Sequence, residues 1–244
     1  MLRDLSGQYR QSLLGYAWAF TPPLAMAVGF TLARESGVLS IGPTDLPYPA
    51  YVLFGTVLWQ IFTEALLGPV QALIAARSIM AKLQLRHEAI ILAKVGETLL
   101  NAGIKLLLVA AVLLYYQVPI AWTAALVPGA VVLLVLLGSF FGITLAPLGA
   151  LYGDVPRALP LLAGFWLFFT PVVYPLPTEG AFAVLVHLNP VTPLLVSVRE
   201  LATGGLVSDI RAFAIVSSGS VAGLFVSLLG YRLAMPFVVE RMSA

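Results

Sequence analysis

Glu64 is the one acid inside the apolar run between Asp45 and Arg77, and the next apolar run carries a polar stripe that could answer it. Lys94, Glu97, Asn101 and Lys105 recur at spacings of three or four, which places them on one face of a helix. Counted inward from Arg77 and Ala89 at about 1.5 Å per residue, Glu64 and Lys105 reach similar depths, so an ion pair between two helices is expected. A charge at mid-membrane costs ~2.5–3.5 kcal/mol on insertion scales and must face protein or water. Two readings follow. The stripe is a polar translocation wall or proton relay, or the pair locks two helices together and lowers the cost of burial.

A second set is aromatic: Tyr9, Tyr16, Trp18 and Phe20; Tyr48, Tyr51, Phe54, Trp59 and Phe62; Trp166, Phe168, Phe169 and Tyr174. Such rings gather at membrane–water interfaces, where an apolar body and a polar edge are both accommodated. Some could instead line a conduit, because flat rings present apolar faces to sugar C–H groups. Nothing supports an enzyme. There is no nucleophile elbow, no HExxH, no intramembrane carboxylate pair at helical spacing and no phosphate-binding glycine loop. No Walker motif occurs, so ATP hydrolysis and its magnesium would need another subunit. With no cysteine and only His87 and His187, thiolate metal sites and disulfides are excluded. The scattered charges also lack the acid-rich relay expected of a proton-coupled carrier. What remains is a conduit powered from elsewhere.

The elements that position these residues must lie in lipid. Of 244 residues, 60% are hydrophobic and 10% charged, with a mean hydropathy of +0.99, whereas soluble domains carry about 25% charged residues. A net charge of +2, spread in short clusters, does not suggest nucleic acid as a partner. Arg3 and Arg10 ahead of an apolar run, with Ala25-Met26-Ala27 after it, imitate a secretory leader, but the run 13–33 is long for one and more membrane follows. A helix needs ~20 mostly apolar residues to cross. The uncharged stretch 11–33 and the stretch between Asp45 and Arg77, interrupted only by Glu64, supply two spans. The long stretch 106–153 is divided at Gln117, Pro119 and Trp122, with the third span beginning near Ala89. Residues 158–178 supply the fifth and 212–231 the sixth. The expectation is a single all-α membrane domain, 1–244, of six transmembrane helices. Nine of the thirteen Lys and Arg fall on one side of that arrangement and three on the other, which puts both termini in the cytoplasm.

Two connections are unusual. The inner one, 77–89, has apolar residues at helical spacing and few turn formers, so it reads as a short amphipathic helix at the cytoplasmic face, either a docking element or an interfacial loop. The outer one, 178–207, holds two apolar runs too short to cross, broken at Asn189-Pro190. They read as half-helices that enter the outer leaflet and return, which is tolerated only where the backbone is buried in protein or lines a wet cavity.

Several short motifs occur together: Arg3-Asp4-Leu5, Tyr9-Arg10-Gln11-Ser12, Leu14-Gly15, Trp18 and Pro22-Pro23 at the start; Asp154-Val155; Thr170-Pro171-Val172-Val173-Tyr174-Pro175; Leu188-Asn189-Pro190, then Arg199. In this order, over nearly the whole chain, they resemble the ABC exporter permeases that move cell-surface polysaccharides such as O-antigen, capsule and teichoic acid. The resemblance implies a bacterial inner-membrane homodimer paired with two copies of a cytoplasmic ATPase, which holds the ATP and magnesium. It implies an interface helix at 1–11 and a coupling helix at 77–89, with Arg77, Lys82, Arg86 and His87 facing the ATPase. It implies an outer gate built on Asn189, Pro190 and Arg199. A lipid-linked glycan would pass between protomers along Trp18, Phe20, Trp166, Phe169 and Tyr174. Gly153 stands where family members often carry a basic residue, and the tail after Pro236 is short, so details of ATPase contact differ. The alternatives are a related ABC permease exporting a small drug or lipid, an ion-coupled carrier with Glu64 and Lys105 at its core, and a non-transporting assembly subunit.

Overall fold

A computed structural model describes residues 17–80 and 87–243, with side chains over 20–77 and 88–241. The expected interface helix at 1–11 and most of the coupling segment, including Lys82 and Arg86, lie outside the described residues. Among those described there is no strand. The helices are α1 (Ala17–Glu35), α2 (Tyr48–Met80), α3 (His87–Tyr115), α4 (Val127–Leu151, entered through a 3-10 turn at Trp122–Leu126), α5 (Asp154–Phe168), α6 (Ala181–Leu188), α7 (Val191–Thr203) and α8 (Ile210–Ser243).

Among the described residues, four stretches are long and apolar enough to cross a membrane: Tyr48–Arg77, Glu88–Tyr115, Trp122–Leu151 and Ile210–Arg241. The α6–α7 pair, bent by 82° at its break, makes a fifth if counted as one broken span. The division of 106–153 falls where expected, because Gln117 takes a left-handed φ of 54° and Pro119 follows it. The last helix is longer than the sequence suggests. Its start is capped by Asp209, whose Oδ1 accepts the Ala212 amide at 2.9 Å.

The expected fifth span, 158–178, is not one helix. α5 begins earlier, at Asp154, where an acid in the first turn complements the helix dipole. It stops at Phe168, ahead of Pro171, Pro175 and Pro177, because proline removes a donor and disfavours helical backbone in the residue before it. Fifteen residues span about 22 Å, short of the ~30 Å hydrocarbon core. A non-helical segment continues from the end of α5 to Gly180.

α2 is the axis of the bundle. Val52, Val57, Leu58, Ile61 and Phe62 are all fully buried, as expected of a helix that is apolar all round and surrounded by others. It packs most extensively on α4, with α1, α3 and α5 also laid against it. The α2–α4 contact is close because α4 offers Gly138 and Gly142 one turn apart. A Cβ at Gly138 would lie 2.7 Å from both the Ala65 Cβ and the Phe62 carbonyl, the small-residue packing by which membrane helices approach one another. α8 instead leaves Phe225, Val226, Leu229, Leu233 and Phe237 exposed, an apolar face suited to lipid.

Candidate functional site

The non-helical segment after α5 is where the fold spends its polar side chains. Each carbonyl from 168 to 174 accepts a hydrogen bond. The Tyr174 hydroxyl donates to Phe168 at 2.8 Å and Asn189 Nδ2 to Phe169 at 2.9 Å. The Val172 amide donates to Thr170 at 2.7 Å. Arg199 Nη1 donates to Pro171 at 2.7 Å, and its Nη2 to Val172 at 2.6 Å. The hydroxyls of Tyr48 and Tyr51 reach Val173 at 3.1 Å and Tyr174 at 2.8 Å. A buried irregular backbone must have its carbonyls paired within the protein; side chains from α2, the α6–α7 corner and α7 do this for 169 and 171–174, and the segment itself does it for 168 and 170.

Arg199 is buried among these groups. Its guanidinium stacks over the Tyr51 ring at 3.9 Å, and Nη2 also reaches the Tyr51 carbonyl at 3.3 Å. Among the described residues no carboxylate lies within ion-pair distance of it. The planar fork, which spans two neighbouring carbonyls, is what arginine offers and lysine does not. The fit requires Gly55. A Cβ there would overlap both Arg199 Nη2 and the Val172 carbonyl.

Asn189 fixes the α6–α7 corner to the same segment. Besides Phe169, its Nδ2 donates to Thr170 Oγ1 at 2.8 Å. Its Oδ1 accepts from Trp166 Nε1 at 2.9 Å and from the Val191 amide at 3.0 Å. Both donors and both acceptor lone pairs of the buried amide are thus used. Pro190 follows in helical geometry and opens α7.

The structure brings together some of the expected conduit residues. Trp166 is half-buried and packs edge-on against Phe62 (5.2 Å), Phe141 (5.5 Å) and Trp59 (6.5 Å). Phe169 and Tyr174 both lie against Phe182 of α6, at 6.3 and 5.7 Å. Phe20 sits half-buried on α1, and the Trp18 side chain lies outside those described. α1 and α5 each lean on α2 but do not pack on one another to any extent, so one protomer does not join the two sets. Tyr48, Tyr51 and Gly55 are the residues that sequence reading missed. The two tyrosines look like ordinary interfacial aromatics, and only the proline-bracketed Pro171 to Pro175 stretch hints that backbone acceptors await them.

Lower in the bundle the polar stripe pairs off. Lys105 Nζ donates to Glu64 Oε1, and Lys94 Nζ donates to Glu97 Oε1 at 2.9 Å. The Lys94 chain lies over Gly68 of α2, 3.1 Å from where a Cβ would stand. Lys105 is buried, whereas Glu64 is part-exposed with Oε2 unpaired. Asn101 is half-buried on the same helix face. At the far end of the bundle Arg77 is exposed, His87 opens α3, and Arg232 approaches Glu88 at 3.6 Å.

The ABC-2 type transporter family model matches residues 1–202, and the chain belongs to that family. It is the membrane-spanning, non-catalytic permease subunit of an ABC exporter, whose ATPase is a separate chain. It is 27% identical over 209 residues to the O-antigen export system permease protein RfbA of Myxococcus xanthus, covering 82% of this chain and 76% of that one. It is 21% identical over 242 residues to the polysialic acid transport protein KpsM of Escherichia coli, covering 95% and 90%. The RfbA permease of Klebsiella pneumoniae is 22% identical over 215 residues, covering 84% and 79%.

Proposed function

We propose that this chain exports a lipid-linked polysaccharide from the cytoplasm outward, through a channel between two copies of itself, driven by two copies of a cytoplasmic ATPase that holds the ATP and magnesium. The observation that carries this reading is the near full-length similarity to relatives named for O-antigen export and polysialic acid transport. The structure supports it in two ways. α5 leaves Leu161, Leu162, Phe165 and Phe168 uncovered, and beside them stands the aromatic group of Trp166, Phe169 and Tyr174. A polymer cannot be enclosed in one pocket, and a wall open along its side suits a second copy that completes a channel.

In this reading α1 and α5 complete a set of six spans in the bacterial inner membrane, with both termini cytoplasmic. The end marked by Tyr48, Phe168 and α7 faces outward, and Asn189, Pro190 and Arg199 hold the outer gate. Arg77, Lys82, Arg86 and His87 face the ATPase, whose closure on ATP moves the coupling segment as a rigid lever. The tagged chain purified in mild detergent should bring down a stoichiometric soluble ATPase bearing Walker motifs. Reconstituted with it, the complex should move a lipid-linked glycan. A chain that purifies alone would instead favour the ion-coupled carrier, and export of a small lipid or drug without glycan would favour the related permease. Replacing both Arg77 and Arg86 with glutamate should leave insertion intact while abolishing transport-stimulated ATP turnover. Unchanged turnover would show that the coupling segment is misplaced.

A further inference from the structure

The two helices that meet at Asn189 are anchored unequally. In α7, Val191, Leu194, Leu195 and Val198 are fully buried. Arg199 ties its middle to the carbonyls of 171 and 172. Its far end is stitched to the turn before α4, where Thr123 Oγ1 donates to the Leu201 carbonyl at 2.8 Å and the Ala121 amide to Ala202 at 3.0 Å.

α6 has nothing comparable. Only Ala183 and Val186 are buried, while Phe182, Val184, Leu185 and Leu188 remain exposed. Among the helices it packs chiefly on α7. Otherwise it rests through Phe182 on the rings of Phe169 and Tyr174, and through His187 Nε2, 3.2 Å from the Pro177 carbonyl. Both of its ends are jointed. Gly180 has φ 91°, a region open to glycine and strained for other residues. At the other end Asn189 has extended backbone, and its side-chain hydrogen bonds all go to Trp166, Phe169, Thr170 and Val191, none into α6. The fixed frame therefore ends at Asn189.

We propose that the outer gate has one fixed leaf and one moving leaf. α7 and the 169–175 segment stay locked to one another through Arg199 and Asn189, and to α2 through Arg199, Tyr48 and Tyr51. α6 alone swings about Gly180 and the Leu188–Asn189 joint, uncovering Phe169 and Tyr174. Small closing contacts and hinges at both ends are what a bistable flap needs, whereas a leaf held by a buried arginine fork cannot yield without orphaning two carbonyls. The proposal rests on the reading of this region as the outer gate of an exporter.

Because the chain has no cysteine, introduced pairs are its only thiols. Phe169→Cys with Phe182→Cys, joined by a short bifunctional thiol reagent cleavable by reductant, ties α6 shut. Ala121→Cys with Gly205→Cys ties α7 to the turn before α4, since a Cβ at Gly205 lies 3.9 Å from that of Ala121, a spacing disulfides favour. Each variant is compared with itself after reduction, which removes any effect of substitution at the left-handed Gly205. In the complex with its ATPase, trapping with ATP and vanadate should lower the 169–182 cross-linking yield several-fold and leave the 121–205 yield unchanged. The closed 169–182 link should stop glycan export, with recovery on reduction. Export that continues with that link fully formed, or yields that change together at both pairs, would overturn the proposal. The yields are read without any substrate. If the chain without substitutions exported no glycan, the polysaccharide reading would fail while the hinge was still tested.

Discussion

Lys105 and Arg199 are the two buried cations among the described residues, 4% and 6% exposed, and they are accommodated in opposite ways. Lys105 has an acid, Glu64, reaching it from the neighbouring helix. Arg199 has none within ion-pair distance among the described residues, and is solvated by three backbone carbonyls and an aromatic face. An ion pair is a relation between two side chains and can be replaced as a unit. A cation held by carbonyls is part of the backbone's own hydrogen-bond accounting, because those acceptors stay behind when the cation goes. The first arrangement joins two regular helices. The second makes a buried irregular segment possible, so the two should respond differently to substitution.

The largest effect is expected from Arg199→Ala. It strips donors from the Pro171 and Val172 carbonyls and opens a void beneath Tyr51. Each buried acceptor left unpaired costs about 1–3 kcal/mol, so a total of roughly 3–5 kcal/mol is expected. Thermal unfolding in detergent, followed by tryptophan fluorescence, should show a lower midpoint and poor yield. Arg199→Lys should recover less than half of the loss, since one ammonium cannot span both carbonyls in the plane of a fork. A melting curve for the alanine variant that overlays the parent would remove Arg199 from its place as the anchor of this segment.

Gly55→Ala tests the same anchor from the opposite side, and a cost of about 2 kcal/mol is expected from overpacking. The added methyl meets Arg199 Nη2 and the Val172 carbonyl, and the latter is backbone that cannot rotate away. In the double variant with Arg199→Ala, part of the clash disappears with the guanidinium. The two losses should then sum to less than their separate values, by more than the ~0.5 kcal/mol scatter of independent sites. Strict additivity would mean that Gly55 is needed for some contact other than the arginine.

The two cations were not equally legible in the sequence. Glu64 and Lys105 sit in long, regular helices, where depth follows from counting at a fixed rise, so counting put them at similar depth and made a pair plausible, while the contact itself needed the structure. The break at Asn189-Pro190 was visible for a similar reason, since each flanking run is too short to cross. The resemblance gave Arg199 an expected place in an outer gate, but nothing in the sequence pointed to its partners. Those partners are carbonyls of a stretch that hydropathy counts as part of a fifth span, and hydropathy does not register that Pro171 and Pro175 end the helix. Gly55 is silent for a related reason. A glycine inside a buried helix signals close approach only once the approaching group is known.

The Lys105 pair should behave as a replaceable unit. Glu64→Leu alone leaves a buried ammonium without its acid and should cost about 2 kcal/mol, below the ~3–5 kcal/mol of a fully buried pair because Glu64 is part-exposed. Lys105→Met alone should cost less, because the remaining carboxylate can turn towards water. The double replacement should recover nearly all of the stability, as apolar substitutes for buried pairs often do. Transport then separates the two meanings of the pair. A stable double variant that exports normally makes the pair a helix lock. A stable one that does not export places Glu64, with its unpaired Oε2, on the path or on a relay.

The smallest effects belong to the two tyrosines on α2, and their order is informative. Tyr51→Phe keeps the ring under Arg199 but removes the 2.8 Å hydroxyl bond to Tyr174, with an expected loss of about 1 kcal/mol. Tyr48→Phe removes a longer bond, 3.1 Å, to the Val173 carbonyl. It keeps the ring over which Arg34 lies at 4.5 Å, so about 0.5 kcal/mol is expected. Both losses can be read as shifts in unfolding midpoint against the same parent. If the carbonyl row is one cooperative structure, either substitution in the Arg199→Lys background should cost more than it does alone, because the fork no longer holds the neighbouring acceptors in place. Equal costs in both backgrounds would show that each side chain satisfies its own acceptor independently, and that Arg199 alone sets the course of the segment.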